Sequence, residues 1–365
     1  MSELKALRLV LIGDGESPHL LKWARALAPQ VELWAASSRG FVPEFEALLP
    51  AARRYAMNTD PVHAGGNVAL LKQLPALAEW LTRVDADWLH AHYLTSHGTL
   101  AWMARRGWRL RARIAGSAWG SDILVTPEQS WPYRWLTRKV LKACSVCTSD
   151  SQHMTARMHE LGAGEVMTFP FGLEAMPKPP ARKQPWLFFA NRGLEPIYRP
   201  ERVIDTFAAI ARQQPEAQLV VANDGSLRAA LEAQARALGA DLAERIQFVG
   251  RLDAKRQAEQ YARARWYLSL PQSDSVAVSV LEAMAHGCVP VLSDLPANHE
   301  LLAEPGRGLI LDPENEAARE ALPGRLLALD TATAAAANRD WVARHGLFAP
   351  AVQRFLTRLK ELSAP

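Results

Sequence analysis

The chain has 365 residues, of which 49% are hydrophobic and 22% charged, so it is long enough for two globular domains with ordinary cores. Its net charge of +4 is too small to indicate a nucleic-acid-binding tail. Three cysteines do not make a disulfide framework, and no apolar run reaches the roughly 18 to 20 residues that cross a bilayer. We interpret the short apolar stretch within residues 1–21 as a first core strand rather than a signal peptide, and we expect a cytoplasmic protein.

Strand-like runs alternate with helical runs along the first half of the chain. In order, these are LRLVLIG (7–13), PHLLKWARALA (18–28), VELWAAS (31–37), ADWLHAH (86–92), GTLAWMARR (98–106), RARIAGS (111–117), a helix through Trp135 and Leu141, SVCTS (145–149) and QHMTARMHELG (152–162). Cys144 and Cys147 form a C-x-x-C, but no second pair completes a zinc site. We interpret the pair as a helix end and the following strand.

The stretch PKPPARKQP (177–185) contains four prolines and no periodicity, which is typical of a linker. Beyond it the alternation restarts with WLFFAN (186–191) and continues through AQLVVAND (217–224), RIQFVG (245–250), RWYLSLP (265–271) and VPVLSD (289–294). Strands that alternate with helices predict parallel sheets covered on both faces. The chain is therefore predicted to be an α/β protein with two Rossmann-like domains, about 1–175 and 183–345.

Asp274 stands where a run of small and aliphatic residues begins, and Glu282 stands inside that run, between Leu281 and Ala283. Asp274 follows a predicted strand, so it is a candidate helix N-cap. Glu282 is predicted to lie about two turns into a helix that runs from Val276 and ends at Gly287. Burial of a carboxylate costs free energy unless a partner compensates, so Glu282 faces either solvent or a ligand. A carboxylate here could accept hydrogen bonds from a ribose diol, while the helix N-terminus could bind a diphosphate.

The pattern D-x7-E from Asp274 to Glu282, followed by AMAHGCVPVLSD, resembles the E-x7-E signature of the family 4 retaining glycosyltransferases, whose fold is called GT-B. Other segments follow in the family's order: GDGESPHLLKWARALA (13–28), DADWLHAHYLTSHG (85–98), WGSDIL (119–124), FPFGLE (169–174), RGLEPIYRPE (192–201), NDGSLRAALEAQARALG (223–239) and RIQFVGRL (245–252). The resemblance implies a GT-B fold in which two Rossmann-like domains face each other across a cleft. It also implies that the first domain binds acceptor, that the second binds donor, and that a last helix within 346–365 packs back on the first.

The resemblance also implies roles for individual residues. Glu282 would hold the nucleotide ribose, while Arg192 and Arg199 would neutralise the departing diphosphate. The implied catalytic residues are Asp274, Arg192 and His92; the implied nucleotide-sugar-binding residues are Glu282, Arg199, Gly13, Gly15, Val276, Ala277 and Arg251; the implied acceptor-side residues are His19, Trp119 and Asp122. The sequence departs from the family where Asp274 replaces the usual glutamate, where Trp119 stands at a position that is often histidine, and where Arg199 substitutes for a lysine.

Three other site chemistries are weighed against the residues. His90 and His92 share a strand face with His97 nearby, but no spacing fixes a third ligand, so packing or lining is favoured over a metal. The DAD at 85–87 precedes a strand, so it is interpreted as a turn. GDGESP lacks the third glycine of the dinucleotide fingerprint, which argues against hydride transfer.

The resemblance to this family therefore implies a metal-independent retaining glycosyltransferase that needs no cofactor beyond its UDP- or GDP-linked sugar donor. The expected acceptor is a saccharide or lipid-linked saccharide, in the assembly of a bacterial surface polysaccharide or lipopolysaccharide. Two alternatives stay open: a nucleotide-sugar epimerase of the same shape, and a nucleotide-sugar-binding subunit without turnover.

The predicted helix WPYRWLTRKVLK (131–142) carries aromatic and basic residues together. Trp131, Trp135 and Lys139 are spaced four apart, so they share one face. Such a face suits the inner surface of an anionic membrane, and it suits equally well a helix whose tryptophans pack into the core. Both interpretations stay open on the sequence.

Overall fold

The chain divides into two compact units, Met1–Phe169 with Phe348–Pro365, and Pro170–Leu347, here called the first and second unit. The computed structural model describes residues 6–61, 68–179 and 182–364. No helix among these residues is long and apolar enough to cross a membrane. Each unit is built on its own parallel β-sheet.

The first unit contains a seven-stranded parallel sheet flanked by helices. Its described strands are Arg8–Gly15 (β1), Glu32–Phe41 (β2), Arg54–Ala56 (β3), Trp88–His92 (β4), Arg113–Ser117 (β5), Val146–Ser149 (β6) and Val166–Thr168 (β7). Its described helices up to residue 169 are Pro18–Leu27 (α1), Pro43–Leu48 (α2), Val68–Lys72 (α3), Leu74–Val84 (α4), Thr99–Gly107 (α5), Ser121–Leu124 (α6), Thr126–Gln129 (α7), Trp131–Ala143 (α8) and Gln152–Glu160 (α9), with a 3-10 turn at Ala51–Arg53 and a π-helical turn at Tyr93–Gly98.

The strand order of this sheet is β3-β2-β1-β4-β5-β6-β7, so the chain reverses its direction of winding between β1 and β4. β1 forms because Leu9 to Ile12 are apolar, and all four are fully buried with helices on both faces. Ser17 caps α1 by accepting from the backbone N–H of His19 at 3.2 Å, and Pro18 fixes the first turn. Ligands of such sheets bind beyond the carboxyl ends of the strands at the reversal point.

The second unit contains a six-stranded parallel sheet. Its strands are Gln184–Ala190 (β8), Gln218–Ala222 (β9), Ile246–Gly250 (β10), Ala264–Ser269 (β11), Val289–Ser293 (β12) and Leu309–Leu311 (β13). Its helices are Pro200–Gln213 (α10), Arg228–Ala237 (α11), Ala240–Ala243 (α12), Ala254–Arg263 (α13), Val278–Ala285 (α14), Pro296–Leu301 (α15), Glu316–Ala328 (α16) and Thr331–His345 (α17), with a 3-10 turn at Pro196–Tyr198. The order β10-β9-β8-β11-β12-β13 places the reversal between β8 and β11.

A last helix, Phe348–Ser363 (α18), belongs to the first unit. Phe348 and Phe355 lie edge-on to the buried ring of Trp23 on α1, with ring centroids 4.9 and 5.3 Å away. Ser363 accepts from the indole N–H of Trp88 at 2.8 Å. These contacts hold the final helix by aromatic packing at one end and by a hydrogen bond at the other.

Two local interpretations change. The stretch 177–185 is not a linker throughout, because Gln184 and Pro185 are in β8, where Gln184 pairs with Ala264. Pro180 and Ala181 of that stretch lie outside the described residues. The core interpretation of the α8 tryptophans is wrong, since Trp131 is 74% exposed and Trp135 is 44% exposed. By contrast, the DAD turn and the helix-end interpretation of Cys144 are confirmed.

Candidate functional site

An arginine and an aspartate meet at the carboxyl ends of β8 and β11, at the reversal point of the second unit's sheet. Nη2 of Arg192, just beyond β8, lies 2.5 Å from Oδ2 of Asp274, which follows β11. Nη1 of Arg192 donates to Oγ of Ser279 at 3.3 Å, and its guanidinium carbon lies 4.4 Å from the ring centroid of Tyr198. The side chains of the pair are only 19% and 17% exposed. The cation is thus held by a carboxylate, a hydroxyl and an aromatic face.

Burial and pairing act in opposite directions on these two charges. Burial raises the pKa of Asp274, and the charge of Arg192 opposes that rise. Burial alone would lower the pKa of Arg192, but Asp274 and the neighbouring tyrosines raise it above its usual value. The guanidinium therefore stays charged across the working pH range of any enzyme.

Asp274 is not the helix N-cap that its position predicts. Helix α14 begins at Val278 with Ala277 as its N-cap, so Val276 and Ala277 form the approach to the helix. Oδ1 of Asp274 accepts instead from the N–H of Ser275 at 3.0 Å, and its other oxygen is engaged by Arg192. The helix therefore starts two residues later than predicted, and the Asp274 carboxylate is engaged by Arg192 and by its own loop. Its predicted end at Gly287 is confirmed by that residue's φ of 76°.

Glu282 lies four residues beyond the first residue of α14, roughly 6 Å along the axis at 1.5 Å per residue, so the predicted depth of two turns is wrong. It is half-buried. Its Oε2 accepts from the hydroxyl of Tyr261 at 3.0 Å and from Nε2 of Gln257 at 3.1 Å. Both partners come from α13. The carboxylate in the apolar stretch is therefore compensated by two neutral donors.

Three buried polar residues next to Glu282 escaped the sequence analysis. Asn191 donates from Nδ2 to the hydroxyl oxygen of Tyr261 at 2.8 Å, and its Oδ1 accepts from the hydroxyl of Tyr267 at 2.7 Å. Asn191 could have been found, because it is a polar residue directly after a buried strand. The two tyrosines gave no signal, since aromatic residues are ordinary in a strand or on an inward helix face.

Two other arginines are predicted to contact the donor: Arg199 its diphosphate, and Arg251 the nucleotide sugar. Arg199 precedes α10 with a φ of 45°, and its Nη1 lies 3.1 Å from Glu314, which also binds Arg202. Arg251 is exposed just beyond β10. Among the described residues, no hydrogen bond joins either arginine to Arg192 or Asp274.

In the first unit, Gly13 and Gly15 lie at the end of β1. A Cβ on Gly13 would come within 2.7 Å of Leu20 and 3.4 Å of the His92 side chain, and one on Gly15 would come within 2.6 Å of the Gly40 carbonyl. Both glycines are therefore needed for packing inside the unit. Their predicted contact with the nucleotide sugar stays a prediction.

Aromatic rings gather at the carboxyl ends of β4 and β5. The Trp119 ring lies 4.6 Å from that of His19 and is stacked with Tyr93 at 6.2 Å. Its indole N–H donates to Nδ1 of His92 at 3.2 Å. Because an indole can only donate, Nδ1 of His92 must accept, and the neutral ring then carries its proton on Nε2. Burial, with the nearby His90, His97 and His19, lowers the pKa of His92 well below its usual value, so it is uncharged at neutral pH.

Asp122 accepts hydrogen bonds from the backbone beyond both of these strand ends. Oδ2 accepts from the N–H of Leu94 at 2.8 Å and Oδ1 from the N–H of Trp119 at 2.9 Å. The residue is 1% exposed. Burial raises its pKa to about 6, although the backbone N–H groups oppose the rise. In this structure Asp122 therefore supports the loop that carries Trp119.

His90 and His97 complete the histidine group. Nε2 of His90 lies 2.7 Å from Oγ of Ser117, and Nδ1 of His97 lies 2.7 Å from the His92 carbonyl. Within the described parts of the chain, no group of three or more His, Cys, Asp or Glu side chains is arranged to hold a metal ion.

Two family models match consecutive parts of the chain. The model described as "Glycosyl transferase 4-like" matches residues 8–151, and the model described as "Glycosyl transferases group 1" matches residues 173–333. This chain belongs to the group 1 glycosyltransferases. No curated protein matches it in sequence.

Solved structures share the fold of this glycosyltransferase at low sequence identity. HepE from Anabaena in complex with UDP-glucose is 16% identical with a TM-score of 0.74, and the match covers 97% of this chain and 100% of that one. Sucrose-phosphate synthase from Thermosynechococcus elongatus is 16% identical with a TM-score of 0.76, over 98% and 99% of the two chains. The lipopolysaccharide outer core galactosyltransferase WaaB in its apo form is 15% identical with a TM-score of 0.70, over 96% and 99%. The predicted family and GT-B fold are confirmed.

The raised pKa of Asp122 predicts a pH dependence of the glycosyltransferase's stability. A pKa of about 6 in the folded state, against a usual 3.8, means that this group's contribution is full below about pH 3.8 and is lost as pH rises through about 6. We expect Asp122→Asn to remove that loss. The free energy of unfolding of the wild type minus that of the variant should fall by up to about 3 kcal/mol between pH 4 and 6, as measured by urea unfolding.

A matched control is Asp85→Asn in the same unit, because the Asp85 side chain is exposed. Its unfolding curves should shift with pH as those of the wild type do. If Asp122→Asn also runs parallel to the wild type from pH 4 to 7, then the Asp122 carboxyl does not titrate in this window.

Proposed function

We propose that this glycosyltransferase transfers a sugar from a nucleotide-diphosphate donor, UDP- or GDP-linked, with retention of configuration and without a metal ion. The observation that carries the proposal is the arrangement around α14. Ser279 accepts from Arg192 through its hydroxyl at 3.3 Å, and its carbonyl oxygen lies 3.2 Å from the hydroxyl of Tyr261, which also donates to Glu282. Helix α14 therefore carries Glu282, the carboxylate proposed for the ribose, and contacts through Ser279 the arginine proposed for the diphosphate, Arg192.

The proposed roles of these residues follow from the negative charge that develops on the leaving diphosphate. When the bond between the sugar and the diphosphate breaks, negative charge grows on the leaving oxygen, and the fixed Arg192 guanidinium stabilises it without reorganising. The approach to α14 through Val276 and Ala277 adds backbone N–H groups and the positive end of the helix dipole. In the proposal Arg199 assists the diphosphate, Arg251 contributes to nucleotide-sugar binding, Gly13 and Gly15 let the backbone approach the reacting centre, and Asp274 orients both Arg192 and the donor sugar.

Retention follows if the acceptor oxygen bonds to the sugar on the face that the diphosphate leaves. The acceptor hydroxyl then gives its proton to the departing phosphate oxygen, and no protein nucleophile is needed. On the acceptor side we assign His19, Trp119 and His92, with Asp122 supporting the loop of Trp119. The neutral state of His92 suits a lining residue that orients Trp119.

The names of similar proteins support a choice of probes. HepE is described in complex with UDP-glucose, and WaaB is a lipopolysaccharide outer core galactosyltransferase. We therefore propose that this enzyme extends a saccharide or lipid-linked saccharide in the assembly of a bacterial surface polysaccharide or lipopolysaccharide, on the cytoplasmic side of the membrane. UDP-glucose and UDP-galactose are the first donors to test.

The first experiment is a thermal-shift screen with UDP, GDP and ADP, because a ligand that binds the folded state raises its melting temperature by mass action. In Glu282→Gln, loss of the carboxylate charge should lower the affinity for the nucleotide by tenfold or more, since each charged hydrogen bond contributes about 1.5 to 3 kcal/mol. The melting temperature without nucleotide should stay the same or rise. A variant that melts earlier but binds as tightly as wild type would make Glu282 a structural residue.

The second prediction concerns turnover. We expect Arg192→Ala to lower kcat far more than it changes the KM for the acceptor, because the diphosphate charge grows only in the transition state. Product analysis of the donor incubation separates transfer or hydrolysis from isomerisation and from mere binding. The matched control is Arg245→Ala, which removes an arginine paired with Asp241 on α12. If kcat at saturating donor is equal in Arg192→Ala and wild type, then Arg192 has no part in the reaction.

We also propose that α8 docks on an anionic membrane surface. Among the described residues, Trp131 is the most exposed of the large apolar side chains, at 74%, and the ring centroid of Trp135 lies 6.5 Å from that of Trp102 on the neighbouring α5. The four basic residues of α8 are exposed: Arg134, Arg138, Lys139 and Lys142. The buried face of the helix is formed by other residues, Thr137, Val140 and Leu141. An outward face that carries both tryptophan and cations complements anionic headgroups.

The docking proposal predicts salt-sensitive binding to vesicles that contain anionic lipid. Replacing the four basic residues of α8 with glutamine should abolish co-sedimentation at low salt, since each cation near the surface contributes about 1 kcal/mol, and should leave donor hydrolysis intact. The control replaces four exposed cations of the second unit, Arg212, Arg236, Lys255 and Arg256, with glutamine. Equal loss of binding in both variants, or indifference of the wild type to vesicle charge, would contradict a docking role for α8.

A further inference from the structure

A chain of buried hydrogen bonds runs from the sheet of the second unit to Glu282. It begins at Tyr267 on β11, passes through the side chain of Asn191 at the end of β8, continues to Tyr261 on α13, and ends at Oε2 of Glu282 on α14. The three distances are 2.7, 2.8 and 3.0 Å. Tyr261 and Tyr267 are 1% and 0% exposed, and Asn191 is 7% exposed. The carboxylate is therefore connected to the buried core of the second unit.

Counting hydrogens fixes the direction of this chain. The Glu282 carboxylate only accepts, so Tyr261 donates to it and accepts in turn from Nδ2 of Asn191, which leaves Oδ1 of the amide to accept from the hydroxyl of Tyr267. Because Tyr261 accepts from that amide, its single proton is directed to the far side. There it has two acceptors in reach, Oε2 of Glu282 at 3.0 Å and the Ser279 carbonyl at 3.2 Å. Burial raises the pKa of both tyrosines, so both stay protonated and keep this direction.

From this arrangement we propose that Tyr261 and Asn191 are positioning residues, which hold the Glu282 carboxylate in the orientation that receives the ribose hydroxyls of the donor. The inference rests on the proposed function, because it assumes that Glu282 binds ribose. Gln257 donates to the same Oε2 at 3.1 Å. Two donors on one oxygen prevent rotation of the carboxylate, which reduces the ordering that ribose binding would otherwise require.

The same residues link the ribose end of the site to the diphosphate end. Asn191 directly precedes Arg192, and its backbone carbonyl accepts from Nδ2 of Asn223 at 3.3 Å. Ser279 contacts Arg192 through its hydroxyl and Tyr261 through its carbonyl. A shift of Tyr261 would therefore disturb Glu282 first and Arg192 only through one further contact. That order makes a role in ribose binding separable from a role in turnover.

The test is a cycle that combines one protein change with one ligand change. Affinities are measured by calorimetry for the wild type and Tyr261→Phe, each with the best of UDP, GDP and ADP and with the 2′-deoxy and 3′-deoxy forms of that nucleotide. We expect Tyr261→Phe to lower the affinity for the ribonucleotide by about tenfold, which corresponds to the loss of roughly one hydrogen bond. For the deoxynucleotide that lacks the hydroxyl bound by Glu282, the loss should be twofold or less. If Tyr261 were purely structural, its substitution would lower the affinity for all three ligands by the same factor.

Two further variants give the comparison its controls. Trp266→Phe removes another buried hydrogen bond of the same unit, from the indole N–H to the Pro185 carbonyl at 3.0 Å; it should lower the melting temperature without changing the ratio of ribose to deoxyribose affinity. Asn191→Leu, which removes the amide that directs Tyr261, should reproduce the ribose-specific loss. It also serves if Tyr261→Phe does not fold.

The outcomes distinguish failure of the positioning role from failure of the proposed function. Equal loss for ribose and deoxyribose ligands in both Tyr261→Phe and Asn191→Leu would overturn the positioning role while the proposed function stands. If the wild type binds none of the three nucleotides, both the proposed function and the positioning role fail.

Discussion

The site of the second unit depends on a single electrostatic constraint, namely that no charge in a largely apolar junction can be left unpaired. Arg192 and Asp274 lie 2.5 Å apart with less than a fifth of each side chain exposed. Removing either would leave the other charge buried without compensation, which typically costs 3–5 kcal/mol. The same pairing engages one oxygen of the Asp274 carboxylate, and α14 begins only at Val278, with Ala277 as its N-cap.

Parallel topology explains why residues so distant along the chain meet. Arg192 and Asp274 are separated by 82 positions, yet each follows the carboxyl end of a strand, and β8 and β11 are neighbours in the sheet. The first unit repeats the arrangement, since β1 and β4 are neighbours at its own reversal point and bring Gly13 close to His92. In both units the winding reverses at the place where polar and aromatic side chains collect.

The two strand-end sites differ in chemistry. The site of the second unit contains a paired arginine and a half-buried carboxylate, which suit a ligand with phosphate and hydroxyl groups. That of the first unit contains Trp119, Tyr93 and His19 around a neutral His92. Aromatic faces with few charges suit an uncharged ligand that offers apolar C–H groups. This contrast supports the proposed division between donor and acceptor.

The sequence by itself determined the class of fold and the family. Alternating strands and helices predicted two doubly wound sheets, and the spacing of Asp274 and Glu282 within a small-residue stretch indicated the family, because periodicity and short-range spacing are written directly in the chain. Only the tertiary structure decided which side chains act together. Tyr261 and Tyr267 read as ordinary core residues, and their hydroxyls gain a role only when Asn191 is brought between them from another strand. The outward face of α8 was undecided for the same reason: a helix's own sequence does not say which neighbours cover it. Hydrogen bonds between residues about 20 to 80 positions apart depend on how strands and helices pack, and no local pattern encodes that packing.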